Sequence, residues 1–232
     1  MTDRSYATAS TAGFGLVVLV LAFSGIHAAD EQRIELPKPV TDGQVSVEAA
    51  IKQRRSVRDY TNRPLSLADV GQLLWAAQGV TSSDGGRAAP SAGALYPLEI
   101  YLVAGRVDSL PAGVYRYVTR RHQLEPVVSG DLRRELASAA LNQAWIREAP
   151  MTLVITGVYE RTAAKYGARA RRYVQIEAGH AAQNVYLQAA ARDLGTVMVG
   201  AFHDADVQQA LGIPSEHAPL ALMPVGHPRW RR

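Results

Sequence analysis

The run Arg54-Arg55-Ser56-Val57-Arg58 places three guanidinium groups and a hydroxyl within five residues. That concentration of donors suits a phosphate and a second anionic centre close by. A flavin requires both: cations around its terminal phosphate, and positive charge beside the N1/C2 edge, where negative charge collects when the ring takes two electrons. Arg54, Arg55 and Ser56 suit the phosphate, and Arg58 the ring edge. The competing reading is a solvated helix end, its arginines complementing the helix dipole. A second run, Pro90-Ser-Ala-Gly-Ala-Leu-Tyr-Pro97, weighs against it. Flanked by prolines, it is neither helix interior nor core strand, and it reads as a fixed loop that lets a flat ligand approach.

Composition removes several other chemistries. The 232 residues include no cysteine, which excludes a thiolate nucleophile, an iron-sulfur cluster and a thiolate zinc site. The six histidines show no paired spacing with carboxylates that would build a metal site, and no Ser-His-Asp arrangement stands out. A net charge of +4 permits anionic ligands, but the arginines fall in scattered pairs at 120/121, 133/134 and 171/172 rather than in one stripe. Nothing beyond mild basicity points to nucleic acid.

The N-terminus carries a short polar region, the apolar stretch 13–23 and small residues ending in Ala28 and Ala29. This layout predicts a secretory signal peptide over 1–29 and hence an exported protein, periplasmic or extracellular. An uncleaved anchor over 13–29 is the alternative, since the stretch approaches the shorter transmembrane spans in length. Residues 30–44 contain Pro37, Pro39 and Gly43 and read as an extended lead-in to one domain over 45–232.

Around the chemical motifs the periodicities alternate between helix and strand. Ser46 caps a helix with Val47, Ala50 and Ile51 on one face, ending near Arg55, so the basic run sits at a helix end. Ser66 caps a second helix with the stripe Leu67, Val70, Leu73 and Leu74, with Asp69 at the capping-box position and Gly79 as its stop. A loop over 81–97 precedes a strand at 98–103 and a hairpin of 113–118 with 123–128. A helix over 131–146, a strand at 151–156 and a long helix over 169–194 follow. A strand at 196–202, a helix from an Asp204 cap to Leu211 and a strand at 219–225 complete an α+β chain without internal repeats.

The motifs Arg-Arg-Ser-x-Arg at 54–58, Pro-Ser-Ala-Gly-Ala-Leu-Tyr-Pro at 90–97, Gly179-His-Ala-Ala-Gln-Asn184 and Val199-Gly-Ala-Phe202 occur together and in this order. In this the chain resembles the FMN-dependent nitroreductase superfamily, and its loop is most similar to the SagB-type branch, whose members oxidise azolines on ribosomal peptides. The resemblance implies a central mixed, mainly antiparallel sheet flanked by helices, in a domain completed by homodimerisation. It implies FMN, held by Arg54, Arg55 and Ser56 at the phosphate, with Arg229 as a further phosphate candidate, and by Arg58 at the ring edge. It places Pro90, Ser91, Ala92 and Gly93 of the partner subunit along the ring, and the backbone of Gly200 and Ala201 at flavin N5. It makes Lys165 and Tyr166 a catalytic pair that removes the proton whose loss accompanies hydride transfer. A lysine serves as a base only where burial or a neighbouring cation depresses its pKa.

Other readings of single residues stay open. Gly200 can be a tight strand end, Arg229 a solvated tail residue, Lys165-Tyr166 ordinary surface composition and His180 a hydrogen-bonded interface residue. The implied activity is hydride transfer through flavin N5 on a small-molecule or peptide substrate, with NAD(P)H, a quinone or oxygen as redox partner. An NAD(P)H-dependent nitro or quinone reductase and a non-catalytic flavin-binding protein are the alternatives.

Overall fold

A computed structural model describes residues 1–2 and 33–229. The expected targeting segment at 13–29 lies outside the described residues. Seven strands form one sheet in the order β1-β4-β3-β2-β5-β7-β6. These are β1 (Ile34–Glu35), β2 (Leu98–Ala104), β3 (Gly113–Val118), β4 (Gln123–Ser129), β5 (Met151–Gly157), β6 (Gly195–Thr196) and β7 (Ala218–Gly226). Among the described residues all six strand pairings are antiparallel, and parallel contacts occur only as the isolated bridges Ser56 with Thr196 and Leu65 with Val107. The mixed character expected of the sheet is confined to these bridges.

The central strands are buried on both faces and alternate between two cores, as the two-residue period of a strand requires. Ile100, Leu102, Leu153 and Ile155 face one core, with α2 (Leu67–Gln78) and the long α6 (Ala170–Ala191). Tyr101, Val103, Val154 and Leu222 face the other, with α3 (Arg133–Ala139), α4 (Ala144–Glu148) and α7 (Asp204–Leu211). The remaining helices are α1 (Val47–Gln53), which packs on α6, and α5 (Tyr159–Tyr166). Among the described residues no helix is long and apolar enough to cross a membrane.

Several expectations change in detail. The helix expected over 131–146 is two short helices, because Leu141 and Asn142 both adopt left-handed backbone with φ 57°. Two such residues in succession cannot continue a right-handed helix. The strand expected over 196–202 stops at Thr196. Continuing its register would put Val197 opposite Pro224, which has no N–H to donate. Pairing resumes once, at Val199 with Leu222. Asp204 is the first residue of α7 rather than its cap, the N-cap being His203. Val47 and Ile51 face outward from α1, 64% and 56% exposed, so only Ala50 of the expected apolar face is buried.

The α2 N-terminus is built as its sequence predicts. The Asp69 amide donates to Ser66 Oγ at 3.1 Å, and Asp69 Oδ2 accepts from the Ser66 amide at 3.2 Å. Asp69 Oδ1 also receives Arg192, just beyond α6, at 2.9 Å from Nε, tying the two helices of one core together. Burial pushes the Asp69 carboxyl up, but the bonds from Ser66 and the Arg192 pair outweigh it, so its pKa lies below the ordinary carboxylate value. A depressed folded pKa contributes stability that is present above the unfolded value, near 3.8, and is lost as pH falls toward the folded one. Asp69→Asn therefore lowers unfolding stability at neutral pH by about 0.5–2 kcal/mol. In urea melts across pH it also flattens the acid side of the stability profile.

Candidate functional site

The basic run leaves α1 at Arg54 and docks along the sheet edge. The Val57 amide donates to Thr196 O at 2.9 Å, and Ser56 bridges Thr196 in parallel. The Val57 side chain packs directly on the Gly195 backbone: a Cβ at Gly195 would lie 2.6 Å from Val57 Cβ. Beneath it, the buried Tyr60 hydroxyl lies 2.6 Å from Val57 O and 3.1 Å from Pro224 O. Burial holds that phenol far above its ordinary pKa, so it remains a neutral donor.

Each cation of the run has a distinct seat. The Arg54 guanidinium lies over the Tyr186 ring, 5.2 Å from its centroid, and that of Arg58 lies 5.6 Å from the Trp145 ring. Arg55 donates to Lys52 O at 2.8 Å and to Arg54 O at 2.7 Å, closing the last turn of α1. That is the helix-end role of the competing reading, and it holds for Arg55 alone. Tyr186 accepts the Met198 amide at 2.7 Å and meets Ser56 Oγ at 3.2 Å. Gln143, at the start of α4, donates to Ala140 O and to Ala201 O, each at 2.9 Å. Residues 54–58, 141–145 and 198–201 thus meet on one face.

This face fits a flat anionic ligand. None of Arg54, Arg55 and Arg58 has a carboxylate partner among the described residues, in contrast to Arg33, Arg116, Arg133 and Arg192. Three uncompensated guanidiniums side by side repel one another unless an anion joins them. A Cβ at Gly200 would meet no atom within 4 Å, so nothing in the fold demands glycine there, and the free approach opens toward the exposed side. Trp145 Nε1 is buried without a hydrogen-bond partner beside Arg58. The residues therefore suit FMN. Arg229 is occupied differently from expectation: Nε pairs with Asp59 Oδ1 at 2.7 Å and Nη2 donates to Tyr60 O at 3.0 Å, pinning the chain end to the residue after Arg58.

The loop 90–93 is assembled elsewhere. Ala92 donates its amide to Glu177 Oε1 at 2.9 Å, and Glu177 is only 4% exposed. Ser91 Oγ accepts the Tyr96 amide at 2.9 Å. Gly93 has φ 63°, and a Cβ there would lie 3.0 Å from both Lys165 Nζ and Tyr166 Oη. The lysine and tyrosine occupy the last turn of α5 and stand on the loop. Tyr166 is braced edge-on by Tyr173 at 5.0 Å. Pro90, Ser91 and Ala92 line a hollow of about 240 Å³ with Tyr173, Ile176, Glu177 and the exposed His180.

The expected site residues therefore form two half-sites. One holds Arg54, Arg55, Ser56, Arg58, Gly200 and Ala201, and the other Pro90, Ser91, Ala92, Gly93, Lys165 and Tyr166. Both rest on α6, the first through Tyr186 and the second through Glu177. Those positions are nine residues apart, about 14 Å along the axis and about two and a half turns, so they look out from opposite sides. Sequence reasoning passed over Tyr186, Glu177, Gln143 and Trp145. Their bonding partners are remote in sequence, and only the unusual polarity of Glu177 among the α6 alanines could have signalled one of them.

This fold and this pair of half-sites define a flavoenzyme-like architecture, and the chain belongs to the nitroreductase family, whose sequence pattern matches residues 51–227. A nitroreductase-like protein of Methanocaldococcus jannaschii is 45% identical over 197 residues, covering 85% of this chain and 97% of that protein. The trifolitoxin operon protein TfxC of Rhizobium leguminosarum bv. trifolii is 28% identical over 76% of this chain, which spans 54% of TfxC. Among solved structures, a nitroreductase of Ralstonia eutropha superposes with a TM-score of 0.76 at 29% identity, covering 86% of this chain and 91% of that one. The NADPH:FMN oxidoreductase of Vibrio harveyi, solved with NAD+, gives 0.59 at 25% identity, covering 79% and 69%.

Glu177 is the sole acceptor for the Ala92 amide. Glu177→Ala is expected to speed hydrogen exchange at residues 91–94 and to lower stability by about 1–3 kcal/mol, the cost of an unsatisfied buried group. Glu177→Gln, which keeps a carbonyl acceptor, does much less. Equal exchange in all three proteins would mean that the bond does not hold the loop.

Proposed function

We propose that this nitroreductase-family oxidoreductase uses FMN and works as a homodimer with two composite sites, in the manner of a SagB-type dehydrogenase. The observation that carries the proposal is the separation of the half-sites on opposite sides of α6. A ligand held by Arg54, Ser56 and Arg58 cannot also lie along Pro90 to Gly93 of the same chain, whereas a two-fold partner can present its loop there. The exposed apolar Val47, Ile51 and Ile176 of α1 and α6 suit such a contact.

Bound in this site, FMN supplies two-electron chemistry, accepting and returning hydride at N5. The arginines neutralise its phosphate, and Arg58 stabilises negative charge at the N1/C2 edge. The Gly200 and Ala201 backbone, clasped through Gln143, gives close access to N5. Lys165 or Tyr166, standing at the end of the partner's α5 beside its loop, takes the proton from the substrate carbon or nitrogen as the adjacent hydride leaves. With oxygen or a quinone as the final electron acceptor, such a cycle would need no added donor. Export, expected from the N-terminal residues, agrees with a route that does not draw on NAD(P)H. Similarity to TfxC supports the peptide-modifying branch. The likeness to the Vibrio harveyi NADPH:FMN oxidoreductase supports a second reading, a nicotinamide-driven nitro or quinone reductase.

The purified protein is expected to be yellow and to release FMN on heating. Lys165→Ala and Tyr166→Phe keep the flavin while lowering substrate oxidation about 100-fold or more. Mixing Arg58→Ala with Lys165→Ala subunits tests the composite site directly. Each heterodimer has one intact site, so statistical exchange restores about a quarter of the wild-type rate. Restored activity is expected, and its absence despite confirmed exchange would place both half-sites in a single chain. A yellow protein with no turnover, indifferent to both substitutions, would instead be a flavin-binding protein.

A further inference from the structure

We propose that Tyr186 is a positioning residue that couples the two ends of the flavin site, through a directed hydrogen-bond relay from the Met198 amide to the Ser56 hydroxyl. The inference rests on the FMN reading above. The Met198 amide can only donate, and at 2.7 Å it donates to the Tyr186 oxygen. Tyr186 and Ser56 stand 3.2 Å apart, and geometry alone allows either hydroxyl to donate. An anion at Ser56 removes that freedom, because a phosphate oxygen only accepts. Ser56 must then give its proton to the phosphate, and its oxygen must accept from Tyr186. The chain of donors runs in one direction, Met198 N–H to Tyr186 O–H to Ser56 O–H to phosphate, each bond polarising the next.

The same phenol fixes two segments that have few other restraints. Val199 exchanges both of its main-chain bonds with Leu222, so the preceding Met198 amide points to the outer edge of the sheet, where Tyr186 receives it. Met198 lies two residues before Gly200. Ser56 lies in the run whose neighbour Arg54 covers the Tyr186 ring. Displacing the phenol therefore disturbs the phosphate end and the N5 end together, although the residue need touch neither.

The test compares FMN with riboflavin, which lacks the phosphate, by fluorescence titration of apoprotein. Tyr186→Phe keeps the ring under Arg54 and removes only the hydroxyl. It is expected to weaken FMN about tenfold and riboflavin about threefold, the smaller factor reporting the Met198 end alone. Ser56→Ala is expected to weaken FMN and leave riboflavin unchanged. In the Ser56→Ala background, Tyr186→Phe should cost FMN only the factor seen with riboflavin, because the relay has already lost its last member. Wild-type FMN affinity in Tyr186→Phe, or full additivity of the two substitutions, would overturn the relay while leaving the FMN reading intact. A wild-type protein that binds neither flavin would overturn the FMN reading and the relay with it. Thermal melts of the apoproteins separate both results from loss of fold, and the Ser56→Ala ratio of FMN to riboflavin affinity stands as a check independent of Tyr186.

Discussion

The seat of Val57 on Gly195 is the constraint on which the rest of the site depends. The Val57 side chain packs on the bare Gly195 backbone with no space for a methyl group, and the Val57 amide closes the contact on Thr196. Any larger residue at 195 forces the run off the sheet edge, and overpacking of this kind costs about 1–3 kcal/mol before any ligand is considered. Tyr60 holds the joint from below with a hydroxyl buried too deeply to ionise. Pro224 offers no N–H to Val197 opposite it, and the Met198 amide, turned to the outer edge by strand alternation, is received by Tyr186.

The long helix α6 is the second organising element. Its buried face carries Val174, Ala178, Ala181, Val185 and Ala189 against the sheet, and the small side chains bring the helix close. Two polar residues interrupt this series, and each holds one half-site: Glu177 grips the loop and Tyr186 grips the basic run. On a rigid helix their nine-residue spacing turns them to opposite sides. In the reading proposed above, a second copy brings the two kinds of half-site together.

Electrostatics sorts the arginines by role. Arg192 and Arg229 are each paired with a carboxylate and lock elements together. Arg54 and Arg58 lie on aromatic rings, which orient a guanidinium without neutralising it, so their full charge remains available to an anion. Arg55 is spent on helix carbonyls. One short run therefore contains both the structural and the ligand-facing use of the same side chain, and residue type alone does not distinguish them.

Much of the architecture was legible in the residues themselves. Local physics governs the Ser66 and Asp69 capping box, the β3–β4 hairpin, the strands β2 and β5 and the length of α6, so periodicity and capping chemistry predict them. The motifs at 54–58, 90–97 and 199–202 likewise identified the family. Where partners lie far apart in the chain, sequence was silent. The break at Leu141 and Asn142 and the interruption opposite Pro224 depend on backbone conformation and register. Glu177 with Ala92, Gln143 with Ala201 and Tyr186 with Ser56 are bonds between residues 85, 58 and 130 positions apart. The sequence by itself determined the elements, the family and the chemical vocabulary of the site, because these are set by short-range periodicity and by residue type. Only the tertiary structure decided that Lys165 and Tyr166 join the loop and that the two groups are anchored on opposite sides of one helix, because long-range contacts alone fix direction.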